Sequence, residues 1–211
     1  MHLGPSRPLR CSCETTINDP QTHETLMKIV LQPLFPKMMV TFALAAAIAA
    51  PAQAGELPAN VASKVEAVTK QLVQLAADPM IVSAVKEANG RDAGGMNNGK
   101  WSDIADTDPA VKGITSSKVG AQITKWEAAD DAINKLVLRD QKGNVVGASA
   151  KPLLFNNASR PQFANAMKGQ RWAAAEVKSD PTTQIQSVQV GVPVMDGGKA
   201  IGVLHAGVTA K

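Results

Sequence analysis

After Leu57-Pro58, apolar residues recur at Val61, Val65, Val68, Leu72 and Leu75, while Lys64, Glu66, Lys70 and Gln74 occupy the other faces. These spacings of four, three, four and three predict an amphipathic helix over 57–77 with one narrow apolar stripe. The stripe has to be covered by a sheet, by a second copy of the helix, or by both. Asp78-Pro79 supplies an N-cap with proline at the first helical position, so a second helix is expected to about Ala88, closed by Asn89-Gly90. Residues 91–116 carry Gly94-Gly95, Asn97-Asn98-Gly99 and the carboxylates Asp103, Asp106 and Asp108, and they read as irregular. A further helix is expected over 118–133, with Val119, Ile123, Trp126 and Ile133 on its buried side. Trp101 and Trp126 read as core anchors.

Past Leu136 the period shortens to two. Apolar stretches on either side of Asp140-Gln141-Lys142-Gly143-Asn144 predict a β-hairpin over 136–149. Residues 151–160 read as a loop. Residues 161–168 read as a short helix stopped at Gly169 with Phe163 and Met167 inward, and 171–178 as a third strand. Asp180-Pro181-Thr182-Thr183 then turns the chain into a last hairpin over 184–209, connected through Asp196-Gly197-Gly198-Lys199. In its first strand Val188, Val190, Val192 and Val194 share one face, and Ser187, Gln189 and Gly191 share the other. One face suits a core; the other suits something polar or close-fitting. Pro193 has no N–H to donate, so the strand is expected to be bulged, ending or open on one edge there. Helices gathered ahead of about five short strands, with one helix inserted among them, make an α+β domain with a mainly antiparallel sheet.

Composition changes the picture at the N-terminus. Residues 27–54 begin Met-Lys, continue through an apolar run from Met38 to Ala50, and end Ala52-Gln53-Ala54. A basic start, a short apolar stretch and an A-x-A end are the parts of a secretory signal peptide, with cleavage expected after Ala54 and a periplasmic destination. The run is shorter than the roughly 20 residues a membrane-spanning helix needs. Residues 1–26, which hold Cys11 and Cys13, precede a Met-Lys pair that would itself serve as a start, and they read as a non-native upstream extension. The mature chain is then 55–211, with a helical part over 55–135 and a sheet over 136–211 of one domain.

That mature chain has no cysteine, and its 18 Lys and Arg stand against 15 Asp and Glu. A surplus so small and scattered gives no nucleic-acid surface. His205 is its single histidine, so a Cys/His nucleophile pair and an ordinary zinc set are missing. Ser149 and Ser187 are the serines placed to face His205, but the sequence holds no G-x-S-x-G elbow. Asp103, Asp106 and Asp108 lack the glycine and glutamate of an EF-hand loop and read as turn carboxylates. No catalytic residue, metal or cofactor is expected.

The order of motifs carries a family resemblance. Asp140–Ser149 (D-x-x-G-N-V-V-G-A-S), Arg160–Gly169 (R-P-x-F-x-x-A-x-x-G), Asp180–Ile185 (D-x-T-T-x-I) and Val188–Leu204 (V-x-V-G-V-P-V-M-D-G-G-K-x-I-G-V-L) follow a long helix. In this order the chain resembles a single Cache domain, the PAS-like extracytoplasmic sensor module. The resemblance implies a five-stranded antiparallel sheet, a long N-terminal helix packed on one face, and on the other face a flap over a small-molecule pocket. Here the flap is expected over 150–170. It also implies a sensor rather than an enzyme. The chain reaches Lys211 just past the last predicted strand, so a stand-alone member is expected, signalling through a separate membrane receptor or kinase. The Arg-x-Trp-Tyr arrangement of amino-acid-binding double-Cache receptors is absent, Arg171-Trp172 matching it only in part, and the sequence has no tyrosine.

Several side chains are candidates for that pocket. Arg160 and Lys151 on the flap are placed to hold a carboxylate, Arg160 through a bidentate fork, or to stand as solvated cations. Trp172 either floors the pocket or fills core volume. Gln189 and Ser187 lie on the strand face without valines, Lys178 lies on the neighbouring strand, and Asp180 either receives a ligand amine or starts the turn before Pro181. His205, flanked by Leu204 and Ala206, reads as a hydrogen-bonded structural histidine. The expected partners are a small metabolite, such as an organic acid, and a second copy through the helix over 57–77. The alternative is a structural or protein-interaction module working through that helix.

Overall fold

The apolar stripe of the first helix is covered by the sheet. In the computed structural model, which describes residues 56–211, helix α1 (Ala59–Ala76) buries Val61, Val65, Val68, Leu72 and Ala76. Ala76, not Leu75, ends the buried row. The expected extension over 1–26, the leader over 27–54 and its cleavage point lie outside the described residues.

Three more helices form under local capping. Asp78 accepts a hydrogen bond from Met80 N (2.7 Å) and Pro79 opens α2 (Pro79–Asn89), as its sequence dictates. The reading of 91–116 as irregular is corrected: the segment holds α3 (Asn98–Asp103) and α4 (Pro109–Thr115). Asn97 caps α3 through Lys100 N, and Asp108 caps α4 through Ala110 N with Pro109 at its first position. The Asp-Pro signal that starts α2 is repeated there among glycines and asparagines.

Helix α5 (Lys118–Ala128) is shorter than expected. Asp130 accepts from Ala132 N (2.9 Å) in a tight local turn, and Ile133 opens a strand rather than extending the helix, because it pairs with Val208. That strand is β1 (Ile133–Asp140), which forms the expected hairpin with β2 (Val145–Ala148). Helix α6 (Pro161–Ala166) follows, with Phe163 buried.

The single third strand is also corrected. It is two short pieces, β3 (Trp172–Ala173) and β4 (Lys178–Ser179), both paired with β5 (Gln186–Asp196). Residues 174–177 stand opposite only residues 188 and 189, a wide bulge that splits the strand, so the sheet has six strands. The sheet is completed by β6 (Lys199–Thr209). Its order is β2-β1-β6-β5-β3, antiparallel throughout, with β4 also on β5. Gly197 (φ 55°) and Gly198 (φ 80°) make the β5–β6 connection a two-residue turn with both residues left-handed, the form that matches strand twist. Pairing of β3 with β5 stops at Gly191, and a bulge follows Val194, so Pro193 sits where β5 has no strand on its outer side.

The two faces of the sheet differ in kind. Val188, Val190, Val192 and Val194 of β5, Leu204, Ala206 and Val208 of β6, and Leu136 and Leu138 of β1 form one core with α1, α2 and α5. Each fully buried valine contributes about 1.5–3 kcal/mol relative to exposure. The stripe of α1 is fully engaged in this core, so a homodimer through 57–77 would have to use the helix's polar outer face. The opposite face is only partly filled, by Phe163 and Ala166 of α6 against Val203 and by Trp101 and Phe155 against Val137.

Candidate functional site

Alternation along β1 puts Lys135, Val137 and Arg139 on the partly filled face, opposite the core face of Leu136 and Leu138. The neighbouring strands add His205 and Ser187, Gln189 and Gly191. His205 lies between Val137 on one side and Gly191 on the other. A Cβ on Gly191 would stand 2.4 Å from the backbone oxygen of Gln162, so the absence of a side chain there lets α6 lie directly on β5. The chain from Pro152 to Gln162 thus forms a cover over this face.

Between cover and sheet is a cavity of about 610 Å³, within the range of small-molecule sites. Its far side is closed by Trp172 and the bulged stretch 174–176, and by Ser179 to Thr182. The cover is anchored from outside the cavity by Trp101, whose ring packs on Phe155 at 5.5 Å and whose Nε1 donates to Pro152 O at 2.7 Å.

At the centre is Arg139, 2% exposed. Its Nε donates to His205 Nε2 (3.0 Å), Nη1 donates to Gly143 O (3.0 Å) and Phe155 O (2.7 Å), and Nη2 donates to Leu154 O (3.1 Å). A guanidinium has five N–H donors, so one on Nη2 is left over. Among the described residues no carboxylate forms an ion pair with Arg139. Burial pushes its pKa down to about 9, opposed by the neighbouring charge of Asp140, and it remains a cation at neutral pH. The carboxylate of Asp140 is occupied by Lys142 N, Asn144 N and Asn144 Nδ2.

His205 accepts from Arg139 on Nε2, which places its proton on Nδ1, and Nδ1 has no partner. Burial, followed by the charges of Arg139 and Lys135, holds its pKa well below the ordinary value, so the ring is neutral. Asn157 Oδ1, on the cover, is likewise buried without a partner. Arg139, Asn157 and His205 all line one cavity, and the unpartnered atoms of the last two are themselves buried. In a water-excluded setting such groups are costly unless something binds them.

The expected site residues divide. Arg160, Trp172, Lys178, Asp180, Ser187 and Gln189 all line this cavity. Lys151 does not: its Nζ donates to Ile104 O (2.6 Å) and lies 5.6 Å from the Trp101 ring centroid, on the outside of the cover. The loop turns there so that Lys151 closes the far end of α3. Asp180 is fully engaged within the protein. One oxygen accepts from Thr182 N (2.8 Å) and Thr183 N (3.2 Å); the other is ion-paired with Lys135 and accepts from Gln189 Nε2 (2.8 Å). Burial raises its pKa, but Lys135 and the two backbone N–H groups together lower it by more, for a net depression.

Arg139, Lys135 and Asn157 are lining residues not expected from the sequence. The signal that finds the first two is positional: on a strand neighbouring β6, 135 and 139 share the face of 137 and cannot reach the valine core. Ser149 bonds to Glu127, and Ser187 accepts from Gln189, so neither is hydrogen-bonded to His205.

No family model matches the chain, and no curated protein does. Among solved structures it is similar to the sensor domain of the Vibrio cholerae histidine kinase DctB, at 15% identity and TM-score 0.48, over 71% of this chain and 52% of that one. It is also similar to the sensory domain of the Campylobacter jejuni chemoreceptor Tlp3 with isoleucine bound (15%, TM-score 0.37, 74% of this chain and 64% of that). A third is the ligand-binding domain of the Pseudomonas aeruginosa amino acid chemoreceptor PctC in complex with GABA (14%, TM-score 0.35, 71% and 60%). The chain thus spans between half and two thirds of these solved chains. The long helix on one face, the antiparallel sheet and the covered cavity on the other face are the arrangement that the Cache resemblance implies.

Proposed function

We propose that the protein is a periplasmic Cache-like sensor that reversibly binds a small anionic metabolite, an organic acid, beneath the 152–162 cover and does no chemistry on it. Arg139 carries this reading: it is a buried cation with no carboxylate ion pair among the described residues and one donor unused, in a cavity also lined by His205, whose Nδ1–H is unpartnered. An anion at that point would offset a buried positive charge that the fold itself balances only through the nearby charge of Asp140, without an ion pair. Arg160 at the cavity mouth adds a second cation, suited to drawing in an anion. The leader over 27–54 would deliver the domain to the periplasm, and occupancy would be read by a separate membrane receptor or kinase. Among the described residues no helix is long and apolar enough to cross a membrane.

A thermal-shift panel of mono- and dicarboxylates, amines, purines and amino acids tests this. A ligand at 100 times its Kd stabilises by about 2.7 kcal/mol, which raises Tm by roughly 5–10 °C in a domain of this size. A shift confined to small anions, reduced by Arg160→Ala, supports the reading. A panel without any shift on folded protein removes it.

A further inference from the structure

The cavity lining holds four cations, Lys135, Arg139, Arg160 and Lys178, and two carboxylates, Glu176 and Asp180. Both carboxylates are already paired with a lysine. Glu176 binds Lys178 at the rim, and Asp180 binds Lys135 inside, where the Lys135 side chain is 13% exposed and that of Asp180 is fully buried. Neither arginine has a carboxylate partner among the described residues. The lining therefore offers positive charge to a ligand and no free negative charge.

We propose that Lys135 is a built-in ammonium that occupies Asp180, and that the cavity on this account selects anions without an ammonium group and rejects amino acids. This rests on the reading of the cavity as a ligand site and sharpens its chemistry. Geometry supports it from two sides. Asp180 has one oxygen taken by two backbone N–H groups and the other by Lys135 and Gln189. A ligand ammonium would have to displace Lys135 and leave that lysine without a counter-charge in a half-closed site, where like charges repel. The backbones of Lys135 and Arg139 are also four residues apart on one strand, about 13 Å, and the charge of Lys135 reaches His205, the partner of Arg139. A ligand carboxylate at Arg139 thus places its α-ammonium beside the guanidinium and in the field of Lys135, where like charges repel.

Calorimetric titration with matched pairs tests this: isovalerate against valine, butyrate against 4-aminobutyrate, succinate against aspartate. In the wild-type protein the deaminated member of at least one pair binds about tenfold or more tighter than its amino partner, since an unpaired ammonium is rejected. In Lys135→Met, checked for folding by its melting curve, Asp180 is freed and the ratio for that pair falls severalfold as the amino acid gains affinity. Wild-type protein that binds an amino acid as tightly as its deaminated partner overturns the inference and leaves the ligand site standing. Wild-type protein that binds no member of any pair and gives no shift in the thermal panel overturns both. The wild-type comparison stands even if the variant fails to fold.

Discussion

Arg139 on β1 donates from Nε to Nε2 of His205 on the adjacent β6 at 3.0 Å, with both side chains buried. The bond ties the sheet to the cover, since the same guanidinium also holds Leu154 O and Phe155 O. It also fixes the histidine as a neutral ring with its proton on Nδ1.

A pH dependence follows. The pKa of His205 is depressed in the folded state, by burial first and then by Arg139 and Lys135, so unfolded chains take up a proton near pH 6.5 that the folded protein refuses. The stabilisation is complete above about pH 6.5 and declines below it, by about 1.4 kcal/mol per pH unit, until the folded pKa is reached. Asp180, depressed below its ordinary value, adds a loss only at more acid pH, as its carboxylate protonates. Urea unfolding between pH 7.5 and 5 should show a slope steeper by up to one proton in wild type than in His205→Gln. Equal slopes would contradict the buried neutral histidine.

Gly191→Ala should loosen the cover. The new methyl group meets Gln162 O at 2.4 Å, and that contact is backbone, so α6 has to move off β5. The expected cost is about 1–3 kcal/mol, seen as a lowered urea midpoint, with faster proteolysis over 150–170.

Asp108→Ala should cost about 1 kcal/mol, as should Asp78→Ala, because each aspartate caps a helix that opens with proline. Chemical denaturation measures both. An unchanged midpoint for Asp108→Ala would mean that the packing of Val111 and Ile114, not the cap, holds α4 in place.

Leu72→Ala should cost about 2–5 kcal/mol, since Leu72 is fully buried between α1 and the sheet. The loss should be independent of protein concentration. A concentration-dependent loss would instead place Leu72 in a dimer interface.

The valine face of β5 was legible because period-2 alternation states which side is buried, and it agrees with the stripe on α1. The α4 start was missed although Asp108-Pro109 repeats Asp78-Pro79, because the surrounding glycines and asparagines outweighed one cap. The split between β3 and β4 has no signal in Ala173-Ala174-Ala175-Glu176, where nothing marks a bulge. Arg139 was missed for a different reason. In Leu138-Arg139-Asp140 it reads as a cation at the edge of a turn; only the tertiary placement of Leu154 and Phe155 over β1 turns that position into an interior. Asp180 was read as either a ligand contact or the start of a turn; it accepts from Thr182 N and Thr183 N in the turn, while its pairing with Lys135 joins residues 45 apart, which no local pattern reports.

The most direct test of a ligand site beneath the cover is ¹⁵N side-chain NMR of Arg139 Nε–H and His205 Nδ1–H during titration with small carboxylates. The account predicts that a binding anion shifts both signals together and saturably, with the His205 Nδ1–H moving to the position of a hydrogen-bonded imidazole. If every carboxylate tested up to millimolar concentration leaves both signals in place, the cavity is not the anion site and the account fails.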